Sequence, residues 1–268
     1  MTTIEPDPVS ATDDMPLLRL QHVSKHFGQI QALTDVSLDI PAGQVTALVG
    51  DNGAGKSVLI KCIAGIHPPD EGRILWEGRP VSIRTPRDAA GLGIETVYQD
   101  LALCDNLDIV ENMFLGRERT VHHLLIDKDS MEKSARETLD SLAVRTLKSP
   151  RQRVAHLSGG QRQSVAIAKS VLWHSKLVIM DEPTAALGVA QTKVVLDLIR
   201  RLADRGLAVI VISHNMNDVF AVADRIAVLT LGRLVAVRAT AALDPISVVE
   251  LMTTGTARQT TPLTPSSR

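Results

Sequence analysis

Residues 44–65 read QVTALVGDNGAGKSVLIKCIAG: an apolar run, a glycine-rich turn, then apolar residues at helical spacing. The central octet, Gly50-Asp51-Asn52-Gly53-Ala54-Gly55-Lys56-Ser57, fits the pattern G-x-x-x-x-G-K-[ST] in the strand–loop–helix order that the pattern requires. Glycines let the backbone curl so that successive N–H groups point inward as an anion nest. The helix N-terminus adds positive potential at the same point. Lys56 is then placed to reach β- and γ-phosphates, and the Ser57 hydroxyl is suited to Mg²⁺. The octet predicts a triphosphate site at the end of a buried strand, and with it an α/β fold.

The rest of the chain supports that class. Strand-like runs at 17–23, 35–40, 44–49, 72–76, 176–180, 207–213, 225–231 and 233–238 alternate with helical patterns at 56–65, 127–143, 160–173, 190–204 and 215–223. The runs TALV, LVIM and AVIVI are nearly all apolar, as expected of strands covered by helices on both faces of a mostly parallel sheet. The stretch 100–156 shows helical periodicity and no strong strand, which predicts a helical subdomain inserted into the core. The early, hairpin-like strands predict a small antiparallel sheet at one edge. Residues 1–16 and 254–268 are rich in Pro, Thr, Ser or acids without periodicity, and are expected to be disordered tails around an ordered domain at 17–253.

Composition excludes several classes of function. Lys plus Arg (29) and Asp plus Glu (30) nearly cancel, and aromatics make up only 2%, so a nucleic-acid partner is not expected. Cys62 and Cys104 are too few for a disulfide scaffold or a cysteine-rich zinc site, and are read as free thiols. The longest clean aliphatic run, Leu207 to Ile212, is far too short to cross a bilayer. The opening segment MTTIEPDPVSATDDMP has no Lys, Arg or apolar core and is not read as a signal peptide. Work at a membrane would therefore require docking on a partner that spans it.

Two further motifs carry chemistry. The buried run Leu177–Met180 ends in the acidic pair Asp181-Glu182. Ligands of open α/β sheets bind beyond the carboxyl ends of strands, so Asp181 is expected to hold Mg²⁺ through water and Glu182 to polarise the attacking water as general base. The stretch Ser158-Gly159-Gly160-Gln161 opens a helical pattern with a good N-cap. It is also a second anion site, and one nucleotide does not need two such sites from one chain.

These motifs, in this order, resemble an ATP-binding cassette (ABC) ATPase domain over roughly residues 17–253, with LSGGQ (157–161) as the most diagnostic piece. The resemblance implies the ABC ATPase fold: a P-loop NTPase core with flanking helices, an antiparallel β edge subdomain and an inserted helical subdomain. It implies ATP and Mg²⁺ as ligands. Phe27 matches the aromatic that stacks on adenine. Gln99 matches the glutamine that contacts Mg²⁺ or the attacking water, and His214 the histidine that contacts the γ-phosphate. Ser158, Gly159, Gly160 and Gln161 match the signature that covers the ATP held by the P-loop of the other subunit, so the resemblance implies a homodimer with two composite sites. One departure stands out: Gly188 occupies the place of an Asp that normally helps connect those two sites.

The segments 95–118 and 182–189 are similar to those of monosaccharide importers of the ribose, xylose and fructose kind, and the single-cassette form of fructose-type importers also has a Gly after AAL. This implies an ATPase peripheral to the cytoplasmic face of the membrane, bound to permease subunits and served by an extracytoplasmic sugar-binding protein. The competing class is a soluble ABC ATPase of the iron–sulfur assembly, translation or repair type. Leu101, Leu103, Leu107, Val110, Met113 and Phe114 are expected to divide between the core of the helical subdomain and a groove for a short permease helix.

Overall fold

The computed structural model describes residues 15–121, 125–144, 146–147 and 149–255. The expected tails therefore fall almost wholly outside the described residues. Twelve strands and eight α-helices are present among those described. In chain order they are β1 (Leu18–Phe27), β2 (Ile30–Ile40), β3 (Val45–Val49), α1 (Lys56–Ile63), β4 (Glu71–Trp76), β5 (Arg79–Val81), α2 (Pro86–Leu92) and β6 (Ile94–Val97). There follow α3 (Ile109–Phe114), β7 (Thr120–Val121), β8 (Leu125–Ile126), α4 (Lys128–Ser141), α5 (Gly159–Val171) and β9 (Leu177–Asp181). The last are α6 (Val189–Asp204), β10 (Ala208–Ile212), α7 (Met216–Val222), β11 (Arg225–Thr230), β12 (Arg233–Ala239) and α8 (Pro245–Thr254).

The central sheet has the order β12-β11-β3-β10-β9-β6, parallel throughout except for the antiparallel edge strand β12. Its inner strands are apolar on both faces because both faces are covered. Leu177, Ile179, Ile210 and Ile212 join the core that includes α1 and the strands of the second sheet. Val178, Met180, Val209 and Val211 join the core shared with α3, α4, α5 and α6. The alternation follows from the two-residue repeat of a strand. A third core packs α7 and α8 on β3 and β11 through Val219, Val248 and Leu251.

The second sheet, in the order β2-β1-β4-β5, is antiparallel. The first two strands of this sheet run longer than the apolar patterning marks, because β1 continues through the polar residues 24–26 to Phe27 and a tight hairpin with β2. The stretch 100–156 carries α3 and α4, joined by the two-residue ladder β7–β8. Its Ile109, Met113, Phe114, Met131 and Leu142 are buried in one core with Val165 and Ile167 of α5. Met113 and Phe114 thus belong to the interior, while Leu107 and Val110 line a cavity of about 230 Å³ that mixes apolar residues (Leu115, Ile126, Met131) with charged ones (Glu111, Glu118, Lys128, Arg151).

Helices α2 and α8 lie outside the regions read as helical from apolar periodicity, yet both begin with clear local signals. Thr85 caps α2 in a reciprocal box with Asp88, and Pro86 occupies the first turn. Asp244 accepts hydrogen bonds from the backbone N–H of Ile246 and Ser247 at the start of α8, again with a proline in the first turn.

Candidate functional site

The carboxyl ends of β3, β6, β9 and β10 open into a cavity of about 770 Å³. Its lining includes the whole octet Gly50–Ser57, together with Gln99, Asp181, Glu182 and His214. Residues spread over 165 positions of sequence converge here because β3 sits beside β10, which in turn pairs with β9, and β9 with β6. Strand order thus places the glycine loop, the acidic pair, the glutamine and the histidine side by side.

The loop backbone needs its glycines. Gly55, at φ 102°, is the cap of α1, and a β-carbon there would come within 2.8 Å of the Ala32 carbonyl oxygen. No L-residue fits both the left-handed backbone and the close approach. The Lys56 ammonium donates to the carbonyl oxygens of Gly50 (2.6 Å) and Asp51 (2.9 Å). Burial lowers the pKa of Lys56, opposed by the negative charges of Glu182, Asp51 and Asp181. The Asp181 carboxyl is pushed the other way: burial raises its pKa, the neighbouring Glu182 adds to the rise, and Lys56 and Lys61 oppose it.

Glu182 and His214 meet directly, with His214 Nδ1 2.8 Å from Glu182 Oε1. The Glu182 side chain is 18% exposed against 77% for His214, so the carboxylate is held in the wall while the ring reaches into the opening. The Glu182 backbone N–H donates to the Ile212 carbonyl (2.9 Å), which ties the end of β9 to the end of β10. A second strut lies behind this pair. The Thr184 hydroxyl donates to Asp218 Oδ2 at 2.6 Å, and both residues are buried. It joins the loop after Glu182 to the helix after His214. Sequence reading misses it because the partners lie 34 residues apart, with no local pattern to pair them.

The other expected site residues lie elsewhere. The signature residues 158–161 do not line the cavity. Ser158 caps α5, accepting from the Gln161 N–H, while Gln161 Oε1 accepts from the Ser158 N–H at 2.9 Å. Gln161 Nε2 also donates to the Thr146 carbonyl (2.6 Å). Gly160 faces Gln191 of α6, and a β-carbon there would come within 2.9 Å of the Gln191 β-carbon. Phe27, at the end of β1, is also absent from the cavity lining and meets His67 edge-on, with ring centroids 5.2 Å apart. Ile30, Gln31, Ala32 and Met252 line the cavity instead, none of them marked by a motif. Gly188 caps α6 with ordinary extended angles (φ −73°, ψ 160°) and open space around it, so its backbone does not require glycine.

The donor set fits a nucleoside triphosphate and a hard cation. Backbone amides and Lys56 suit phosphate oxygens, and Ser57, Gln99 and Asp181 bring oxygen donors to the same cavity. Among the described residues no cluster of three or more His, Cys, Asp or Glu could hold a metal by protein ligands alone. No helix among the described residues is long and apolar enough to cross a membrane.

The family profile described as ABC transporter matches residues 33–185. The chain is 46% identical over 237 residues to the xylose/arabinose import ATP-binding protein of Sulfolobus acidocaldarius, covering 88% of this chain and 94% of the relative. It is 48% identical over 224 residues to the fructose import ATP-binding protein of Rhizobium meliloti, covering 81% and 86%. Among solved structures, a nucleotide-free ATP-binding cassette from an ABC transporter superposes with TM-score 0.77 at 26% identity, covering 88% of this chain and 98% of the other. A dimeric cassette bound to ADP and phosphate gives TM-score 0.69 at 25% identity, covering 83% and 98%.

Proposed function

The chain belongs to the ABC transporter family, and we propose that it is the ATP-hydrolysing subunit that powers a membrane importer for a monosaccharide. The observation that carries this reading is the convergence of Gly50–Ser57, Gln99, Asp181, Glu182 and His214 on one cavity, in a chain whose relatives at 46% and 48% identity are named as sugar import ATP-binding proteins.

In this reading the octet cradles the β- and γ-phosphates. Lys56 exchanges its bonds to the Gly50 and Asp51 carbonyls for charge-assisted bonds to phosphate oxygens, which are stronger. The water oxygen attacks the γ-phosphorus, Glu182 takes the water's proton, and the bond to the ADP oxygen breaks, giving ADP and phosphate. His214, bonded to Glu182, orients that carboxylate and stands at the γ-phosphate end. Ser57, Gln99 and Asp181 would hold magnesium, which would neutralise charge on the phosphates. Gln99 also orients the attacking water.

The position of residues 158–161 outside the cavity supports a dimer in which each signature covers the nucleotide held by the other copy. The dimeric neighbour at TM-score 0.69 supports the same assembly. The cavity beside Leu107 and Val110, with Glu111, Glu118, Lys128 and Arg151 also in its lining, has room for an apolar side chain of a short permease helix, which supports docking on a permease; in this reading the ATPase sits at the cytoplasmic face of the membrane. An extracytoplasmic sugar-binding protein would then select the cargo.

Co-purification of the tagged chain from detergent-solubilised membranes tests this. Recovery of a multi-spanning permease is expected, together with its loss in Leu107→Asp while ATP hydrolysis in solution persists. Recovery of ribosomes or cluster-assembly proteins in place of a permease would overturn the importer assignment.

A further inference from the structure

Besides the charged Lys56, Asp181, Glu182 and His214, the cavity is lined by the uncharged Ile30, Gln31, Ala32 and Met252. The corner of the fold that carries these four is firmly built. The Thr34 N–H donates to the Gly232 carbonyl (2.8 Å), and the Gly232 N–H donates to the Ala54 carbonyl (2.9 Å). The β11–β12 turn is thereby clamped between the start of β2 and the glycine loop. Two residues before Gly232, the Thr230 hydroxyl donates to the Met252 carbonyl (3.2 Å), which ties the last turn of α8 to the same corner. Gly255 ends the helix in a left-handed cap, its N–H bonded to Leu251. The backbone of Met252 is therefore fixed at this corner, while its side chain packs in part against the third core and in part lines the cavity. Ile30, also in the lining, is 71% exposed, a large apolar side chain with little covering it. Phe27 lies outside the lining and packs on His67.

We propose that Met252 is a nucleoside-contacting residue, its thioether chain lying against the base of the bound nucleotide and closing, with Ile30, the end of the cavity away from the phosphates. The chemistry fits. A methionine side chain is unbranched and adaptable, and sulfur–aromatic contacts are favourable. An aromatic base would cover the exposed face of Ile30. The inference rests on the nucleotide reading of this cavity and extends it to the C-terminal helix, which no sequence motif connects with the nucleotide.

The test compares ATP with inorganic tripolyphosphate, which carries the phosphates and no base. Dissociation constants are measured by titration calorimetry on the full chain for wild type, Met252→Ala, Met252→Leu and Val249→Ala. Val249 lies on the same helix, half exposed and away from the lining. Met252→Ala is expected to weaken ATP by about 3- to 10-fold and leave tripolyphosphate unchanged. Met252→Leu, of similar volume, should stay within about twofold of wild type, and Val249→Ala should match it. Equal weakening of both ligands in Met252→Ala, or no weakening of ATP, would overturn the inference and leave the phosphate site standing. Wild-type protein that bound neither ligand would overturn the nucleotide reading itself.

Discussion

Asp181 is held at a cost to the folded chain. Burial raises its pKa and the adjacent Glu182 raises it further. Between the unfolded and the native pKa, the native state keeps a proton that the unfolded chain has released. Stability therefore falls as pH rises through that window, and above it the charged carboxylate remains a constant penalty. Without nucleotide, Asp181→Asn should melt at a higher temperature than wild type at pH 7.5. The advantage should vanish below about pH 4, the ordinary aspartate range. Thermal melts across pH measure this, and an Asn variant that melted lower at pH 7.5 would contradict it. The same substitution should depress magnesium-dependent hydrolysis, so stability and activity move in opposite directions at this one carboxyl. Asp181 and Glu182 could be picked out in the sequence because an apolar strand ending in two acids, common by itself, gains meaning in a chain that also carries the glycine-rich octet. Thr184 and Asp218 could not, since each is an ordinary polar residue until the fold brings them to 2.6 Å.

Helix α6 begins at a weak cap. Gly188 offers no side-chain acceptor, and the Gln191 amide oxygen approaches its N–H at 3.4 Å. An aspartate there would meet nothing within 4 Å of its β-carbon, would keep ordinary backbone angles, and would accept from the first-turn amides. Gly188→Asp should stabilise the chain by about 0.5 kcal/mol, combining cap and dipole effects. That raises the melting temperature by roughly 1–2 °C for a domain of this size. A drop in melting temperature would show that the corner is more crowded than its geometry indicates. Strong periodicity marked α1, α4, α5, α6 and α7 in the sequence. Helix α2 buries only Ala89, and α8 has exposed Ile246 and Val249. Neither carries a clean apolar stripe, so their caps and prolines were the only readable signs.

For the whole molecule, the separation of signature from cavity has a direct consequence. If each signature completes the site of another copy, ATP is the ligand that joins the two. Glu182→Gln removes the proton acceptor and keeps the donor set for phosphate. Hydrolysis should fall at least about 100-fold, as expected for loss of a general base. Light scattering after chromatography should show a dimer in ATP and magnesium, and a monomer without nucleotide. A variant that hydrolysed ATP at the wild-type rate would remove Glu182 from the mechanism.

The sequence by itself determined the alternation of strands and helices, the glycine loop, the acidic pair and the signature. Each is a local pattern whose physics acts within a few residues: side-chain periodicity, backbone freedom of glycine and helix capping. Only the tertiary structure decided what those patterns meet. The strand order β11-β3-β10-β9-β6 brings Gln99 and His214 to the loop. The hairpin of β1 and β2 turns Phe27 toward His67 and leaves Ile30 at the cavity. The hydrogen bond from Thr230 brings the end of α8 to that same cavity. These are contacts between residues far apart in the chain, and no local pattern encodes them, because their energy exists only once the sheet has formed.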